Sequence, residues 1–383
     1  MRRETVEAIE EAIALSPDNA EYYARLAWLE SDSDPKKSKD ALRRAVALNP
    51  SDAGSWIELG LVAEAEGDDT AAKQCLLRAT EVDTKFLPRW TLANYYFRHH
   101  DERMFWQWMK KAVPMAYGDA LPLYRLCGKV EENGSLIERL EIQNPDVRAG
   151  YLTYLLNEKR VDLAGPAVDR LLEENREVDV PLLLAACEKF LDAGREDEAA
   201  AVWNRLAKSG RVVGRAEENE PEVVNGSFAM TPTSRGFDWH MPAVEGISIA
   251  REGDQGSLRV TFSGHEPEQM EALAQLVPLR SNSRYELLVD YRTQGIASGA
   301  GLDWRITDAR SGALLREGLS LASETDIVGR LPFETSGECR LVRLTLCYHR
   351  APGTIRLEGF LILRNVALKA SAYSPIEGGR VRR

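Results

Sequence analysis

WIELGLVAEAEGDDTAAKQCLLRATEVDTKFLPRW (56–90) decides the reading of the first half of this chain. It runs from one tryptophan to the next in a 34-residue step, and the step before it, from Tyr23 to Trp56, is one residue shorter. Tyr23, Trp56 and Trp90 each open a short pattern: Tyr23–Leu26–Ala27, Trp56–Leu59–Gly60, Trp90–Ala93–Asn94. Ala45 and Ala79 follow, again 34 apart, and Pro17 and Pro50 close two of the steps in ALSPDN and ALNPSD. Small residues let two helices approach closely, an aromatic fills the space beside them, and proline ends a helix because it cannot continue one. EAEGDDTAA (64–72) predicts the turn between the two helices, with Gly67 in a left-handed conformation. The closing proline is replaced by Thr84, and Asn94 stands where a small residue is expected.

A 34-residue period with W-x2-L-G, a later Ala and a terminal Pro resembles the tetratricopeptide repeat. The resemblance implies helix pairs stacked into a solenoid whose concave groove, lined by the first helix of each pair, takes a protein or peptide. Carried over from the Trp56 register, Trp28, Leu61 and Tyr95 share one groove position. Glu64 and Arg98 share another, with His99 next to Arg98. The alternative is that the repeats are a spacer and that Trp28 and Tyr95 pack between them. Residues 102–180 keep a helical period without repeat marks, and 150–175 reads as a degenerate pair. Residues 181–210 are repeat-like again, with Gly194 at the turn and Ala199 and Trp203 on the second helix. The chain opens on a second helix (4–16) with no first helix before it, which implies an upstream segment of a longer protein.

Near RVVGRAEENEPEV (211–223) the helical period stops. Strand candidates follow at 247–250, 257–262, 273–280, 284–293, 302–309, 340–350 and 354–370, separated by Gly, Ser, Asn and Pro turns. So many short strands predict a sandwich or jelly roll. The order VVNGSF (223–228), SLRVTF, the LVPL and YELLVDYRT pair, CRLVRLTL and GFLILRNVAL (359–368) resembles the galactose-binding-like jelly roll of many carbohydrate-binding modules. The closing RNVAL lacks the Asp-containing turn of modules that hold calcium, so no cofactor or metal is expected. The expected organisation is a multidomain α + β chain. An all-α solenoid spans 1–212, a linker 213–221, an all-β jelly-roll sandwich 222–372 and a disordered tail 373–383.

Strand alternation sorts side chains by face. Asp303 and Arg305 oppose Leu302, Trp304 and Ile306. Arg343, Thr345 and His349 oppose Val342, Leu344, Leu346 and Tyr348. Asp290 and Arg292 oppose Val289 and Tyr291. Such faces offer the donors and acceptors that sugar hydroxyls need, and an aromatic would cover the ring's C–H face. Phe237 and Trp239 in GFDWH (236–240), with His240, are the aromatic candidates, and Trp304 is expected in the core. The carbohydrate set is therefore Phe237, Trp239, His240, Asp303, Arg305, Arg343 and His349; the alternative for its charged members is solvated cross-strand ion pairs.

The 383 residues carry a net charge of −11, from 30 basic and 41 acidic residues over 1–220 and 19 of each after it. An acidic first half argues against nonspecific nucleic-acid binding, which needs Lys and Arg to release counterions. No stretch approaches 18 uncharged apolar residues, so no membrane span is expected. The charged, helical start is not a secretory signal. The expected compartment is periplasmic or extracytoplasmic if an upstream anchor or signal is missing, and cytoplasmic otherwise. Cys75, Cys127, Cys187, Cys339 and Cys347 form no CxxC pair and read as free thiols. No GxxxxGK[ST], GxGxxG, HExxH or GxSxG motif occurs. His99, His100, Asp101 and Glu102 fall at a helix–helix turn, and Asp68–Asp69 read as capping charges. Asp290 and Asp303 are the one carboxylate pair open to a glycosidase reading. NGS occurs at 133 and 225. These readings add up to a non-catalytic binding and scaffold protein. Its setting would be bacterial-envelope polysaccharide assembly, as in the soluble part of an O-antigen ligase or polymerase. The alternatives are a pure protein–protein scaffold and a glycosidase-class enzyme.

Overall fold

The Trp56 indole donates to the Pro50 carbonyl at 3.0 Å, tying the residue that opens one repeat to the proline that closes the last. The computed structural model describes residues 5–117, 120–130, 136–217, 221–253 and 256–370. The expected tail at 373–383 lies outside them. The chain divides into two compact units, 1–154 and 155–383.

In the first unit, α1 (Val6–Leu15) is followed by three helix pairs: α2 (Ala20–Glu30) with α3 (Pro35–Leu48), α4 (Ala53–Ala65) with α5 (Asp69–Val82), and α6 (Phe86–Arg98) with α7 (Glu102–Ala112). Aspartates cap the second helices: Asp34, Asp68 and Asp101 each accept an amide of the first turn, which is why polar residues precede each apolar run. Gly60 is required by close approach, since a Cβ there would meet the Leu76 Cγ at 2.8 Å. Ala72, Leu76 and Ala79 are fully buried on the facing helix. Gly67 takes φ +80° at the turn, as expected. α8 (Leu121–Val130), α9 (Leu136–Leu140) and α10 (Pro145–Asn157) continue the chain. Here Tyr124 and Tyr151 pack ring to ring at 5.4 Å and Tyr124 donates to the Val147 carbonyl at 2.6 Å. Large aromatics replace the small-residue marks of the earlier pairs.

The second unit carries α11 (Gly165–Glu174), α12 (Val180–Asp192) and α13 (Glu196–Lys208), with Ala199 and Trp203 buried on α13. Among the described residues nine strands follow: β1 (Ile247–Arg251), β2 (Leu258–Ser263), β3 (Gln269–Pro278), β4 (Arg284–Gln294), β5 (Leu302–Asp308), β6 (Leu314–Gly318), β7 (Ile327–Glu334), β8 (Leu341–His349) and β9 (Glu358–Ala370). They form a five-stranded sheet, β1-β2-β9-β4-β7, and a four-stranded sheet, β3-β8-β5-β6, with every pairing antiparallel. The inward residues of both sheets make one core that includes Trp239, Phe262, Tyr291, Trp304, Leu344 and Leu361. β6 and β7 have no counterpart among the seven sequence-read strands. Both are sheet edges, and β7 carries Gly329 and Pro332, residues that a strand edge tolerates and a sequence scan discounts.

Candidate functional site

α4 and α6 place Glu64 and Arg98 one repeat period apart, and the two close a bidentate ion pair, Nε to Oε1 at 2.8 Å and the second guanidinium nitrogen to Oε2 at 2.6 Å. The Arg98 hydrogen bonds hold the Glu64 carboxyl below the usual carboxylate range against the opposing effect of its partial burial. The His99 Nε2 lies 3.4 Å from the Glu64 Oε1 and 3.8 Å from the Asp69 Oδ1. Its ring packs over Tyr95 at 4.2 Å. Tyr95 itself is only 4% exposed, and its hydroxyl donates to the Asp69 carbonyl at 3.3 Å. Leu61 is half-buried. At this register position Tyr95 thus follows the packing alternative. Trp28 does the opposite: on α2 its side chain is 76% exposed.

The expected sugar platform is corrected by the structure. Phe237 and Trp239 are fully buried and present no ring face to a ligand. The physical reason is the role of GFDWH as a joint within the second unit. Phe237 meets the Trp203 ring of α13 edge-on at 6.0 Å. Gly236, at φ +53°, lies so close that a Cβ would stand 2.9 Å from the same ring. Trp239 enters the sandwich core against Phe228 at 5.6 Å and Trp304 at 6.1 Å, and its indole donates to the Asn225 carbonyl at 3.2 Å. Asp238 fixes the turn by accepting from the amides of Trp239 and Thr233. His240 is half-buried, with its Nε2 3.0 Å from the Gly236 carbonyl and its backbone bridged to Ala274. Three ion pairs flank the joint: Arg235–Glu188, Arg310–Glu196 and Arg340–Asp197.

Asp303, Arg305, Arg343 and His349 share the outer face of the four-stranded sheet, as alternation predicted. Asp290 and Arg292 do not join them: β4 belongs to the other sheet and turns these residues out of the opposite face of the sandwich. Asp290 and Asp303 therefore flank no common cleft, and the glycosidase geometry is absent for this pair. The sequence reading missed the partners of the two arginines. Glu271 pairs with Arg343 at 2.6 Å and Glu317 pairs with Arg305 at 2.6 Å. The polar residues Gln269 and Glu271, two apart on β3, were the available signal for Glu271, whereas β6, which carries Glu317, went unread. These long side chains cover Cys347, whose thiol is pushed up to about 11 by burial. Asp303 is half-buried and, among the described residues, has no hydrogen-bond or ion-pair partner. Burial, then the charge of Glu317, raises its carboxyl above the usual range. None of the side chains that alternation places on this face over β3, β5, β6 and β8 is a phenylalanine, tyrosine or tryptophan.

The HHDE stretch lies at the α6–α7 turn, with His100 at φ +56° and Asp101 as helix cap. None of the five cysteines is in a disulfide, and four of them are buried. Asn225 is buried, with its amide group accepting from the Met230 amide and donating to the Met230 carbonyl, so this sequon serves a turn. Asn133 lies outside the described residues. Among the described residues no helix is long and apolar enough to cross a membrane.

Residues 53–86 match the family model for the tetratricopeptide repeat. No curated protein matches the sequence. Among solved structures, YrrB, described as a TPR protein with an unusual peptide-binding site, is 16% identical over 53% of this chain and 93% of its own, with a TM-score of 0.28. PilF of Pseudomonas aeruginosa is 18% identical over 53% of this chain and 82% of its own, at 0.28. A CBM4 structure is 11% identical over 39% of this chain and 99% of its own, at 0.30. The chain carries a tetratricopeptide repeat at 53–86 within a run of helix pairs, and an all-β sandwich follows them.

Proposed function

We propose that this chain is a non-catalytic binding and scaffold protein whose helical repeats hold a protein or peptide partner. One observation carries the reading: Trp28, which the repeat register aligns with Leu61 and Tyr95, stands 76% exposed. A tryptophan left in water forgoes a large burial gain, and it is the side chain most often found at the centre of binding hot spots. Glu64, Arg98 and His99 give the same helix face a fixed polar group one period further on. The test is a displayed random-peptide library panned on the whole chain, with Trp28→Ala as counter-target. Enrichment on the wild-type protein alone is the expected result. Equal recovery on both proteins would overturn the reading.

A second reading assigns the sandwich face around Asp303 to carbohydrate. Its support is a half-buried carboxylate without a partner beside Arg305, Arg343 and His349, a set able to hydrogen-bond sugar hydroxyls without stacking. A partner groove and a sugar face in one chain suit polysaccharide assembly at a bacterial envelope, as in the soluble part of an O-antigen ligase or polymerase. A glycan array probed with the whole chain and with Asp303→Ala tests it. Signals lost in the variant support the sugar face, and an array with no signal leaves a pure protein scaffold.

A further inference from the structure

A third surface is used by neither reading. α6 opens with Phe86 and Trp90 one turn apart, their rings stacked at 5.8 Å. Tyr117, beyond α7, meets Phe86 edge-on at 5.9 Å and is 75% exposed. Phe86 and Trp90 are half-buried, so three adjoining rings keep surface in water. Lys85 and Arg89, also one turn apart, run beside them. Arg89 donates to the Lys111 carbonyl at 2.8 Å, which brings the end of α7 against the same turn. The Lys111 ammonium sits 4.0 Å over the Trp108 ring.

Among the described residues no carboxylate pairs with Lys85, Arg89 or Lys111. The nearest acid in sequence, Asp83, accepts the Lys85 amide at 2.9 Å. Many other cations of the repeats are engaged by carboxylates: Arg25 with Glu21, Arg43 with Asp40, Arg78 with Glu81, Arg98 with Glu64 and Lys110 with Glu141. What sets this turn apart is that three cations without a carboxylate partner gather around water-exposed rings on an acidic chain.

We propose that this patch docks an acidic, proline-containing segment of a partner protein. Carboxylates would pair with Lys85, Arg89 and Lys111, and proline rings would lie on Phe86, Trp90 and Tyr117, the arrangement by which aromatic-lined surfaces take extended peptides. Stacked rings with cations also suit single-stranded nucleic acid. Three cations on a chain of net charge −11 favour the peptide, because nucleic-acid affinity grows with the number of phosphates neutralised.

The test is fluorescence anisotropy on the whole chain with a labelled peptide of Asp and Glu flanking Pro-Trp-Pro. The comparison probes are the same centre in Lys flanks, the same flanks around Gly-Gly-Gly, and an oligothymidylate. The expected result is saturable binding about tenfold tighter than any comparison probe, roughly fivefold weaker in Tyr117→Ala and in Lys85→Glu, and unchanged in Trp28→Ala. Tyr117 and Lys85 are both exposed, so these variants keep the fold, which circular dichroism checks. Binding that ignores the acidic flanks, that is lost in Trp28→Ala but kept in Tyr117→Ala, or that is tightest for the oligothymidylate overturns the proposal. The first and third of these outcomes leave the groove reading standing, and the second moves the acidic peptide into that groove.

Discussion

Trp28 and Trp239 are the same residue type in opposite circumstances, and their difference sets the first prediction. Trp239→Ala removes a fully buried ring from the sandwich core and is expected to cost about 3–5 kcal/mol in denaturant unfolding. Trp28→Ala touches an exposed ring and is expected to stay within about 0.5 kcal/mol of the wild type. Charge gives two further predictions of opposite sign. The folded-state pKa of Glu64 is lowered by Arg98, so its stabilisation is present above the ordinary carboxylate pKa and is lost as pH falls through the lowered one. Glu64→Gln should therefore lower the melting temperature most at neutral pH and least in acid. The folded-state pKa of Asp303 is raised, so stability is lost as pH rises through it. Asp303→Asn should raise the melting temperature at neutral pH, and that gain should vanish below the ordinary carboxylate range. Thermal melts across pH check both. Sequence separated Trp304 from the surface because it sits mid-strand with a two-residue period. It misplaced Trp239 because GFDWH has no period, and the ring is buried by Phe228 and by Trp304 of a strand distant in sequence.

At the scale of elements, the helix pairs were legible wherever close approach demands small residues at fixed positions. Gly60 against Leu76 is the clearest case. The marks fade over 113–157 because Tyr124, Tyr151 and Arg148 do the packing and capping there. Buried Arg148 donates to the Ile142 and Gln143 carbonyls at 2.7 Å each. No fixed spacing announces that solution. The central strands were legible by alternation, while β6 was hidden by its shortness and β7 by Gly329 and Pro332. The α13–sandwich joint required three-dimensional proximity and has no local signature beyond Gly236. Gly236→Ala is predicted to cost about 1–3 kcal/mol, from positive φ and from a methyl forced against the Trp203 ring. Hydrogen exchange should localise the loosening to α13 and the 236–240 loop. Protection there equal to wild type would contradict the joint. The ion pairs around it are exposed, and removing Arg310 alone should cost about 0.2–1 kcal/mol and less in high salt.

For the molecule as a whole, the acidic repeats and the charge-balanced sandwich are two surfaces with different chemistry on one chain. The first offers an exposed tryptophan and paired polar groups at repeat spacing. The second offers hydrogen-bonding groups without an aromatic floor. The fold class of both was readable, because helical and strand periods are local properties. The binding surfaces were readable only in part, because exposure depends on which rings the packing leaves over. The most direct measurement is calorimetric titration of a library-selected peptide into wild-type, Trp28→Ala and Tyr117→Ala proteins, with melting temperatures taken alongside. The account predicts that Trp28→Ala weakens binding about tenfold or more at an unchanged melting temperature, and that Tyr117→Ala leaves this peptide's affinity intact. Undiminished affinity in Trp28→Ala would contradict it.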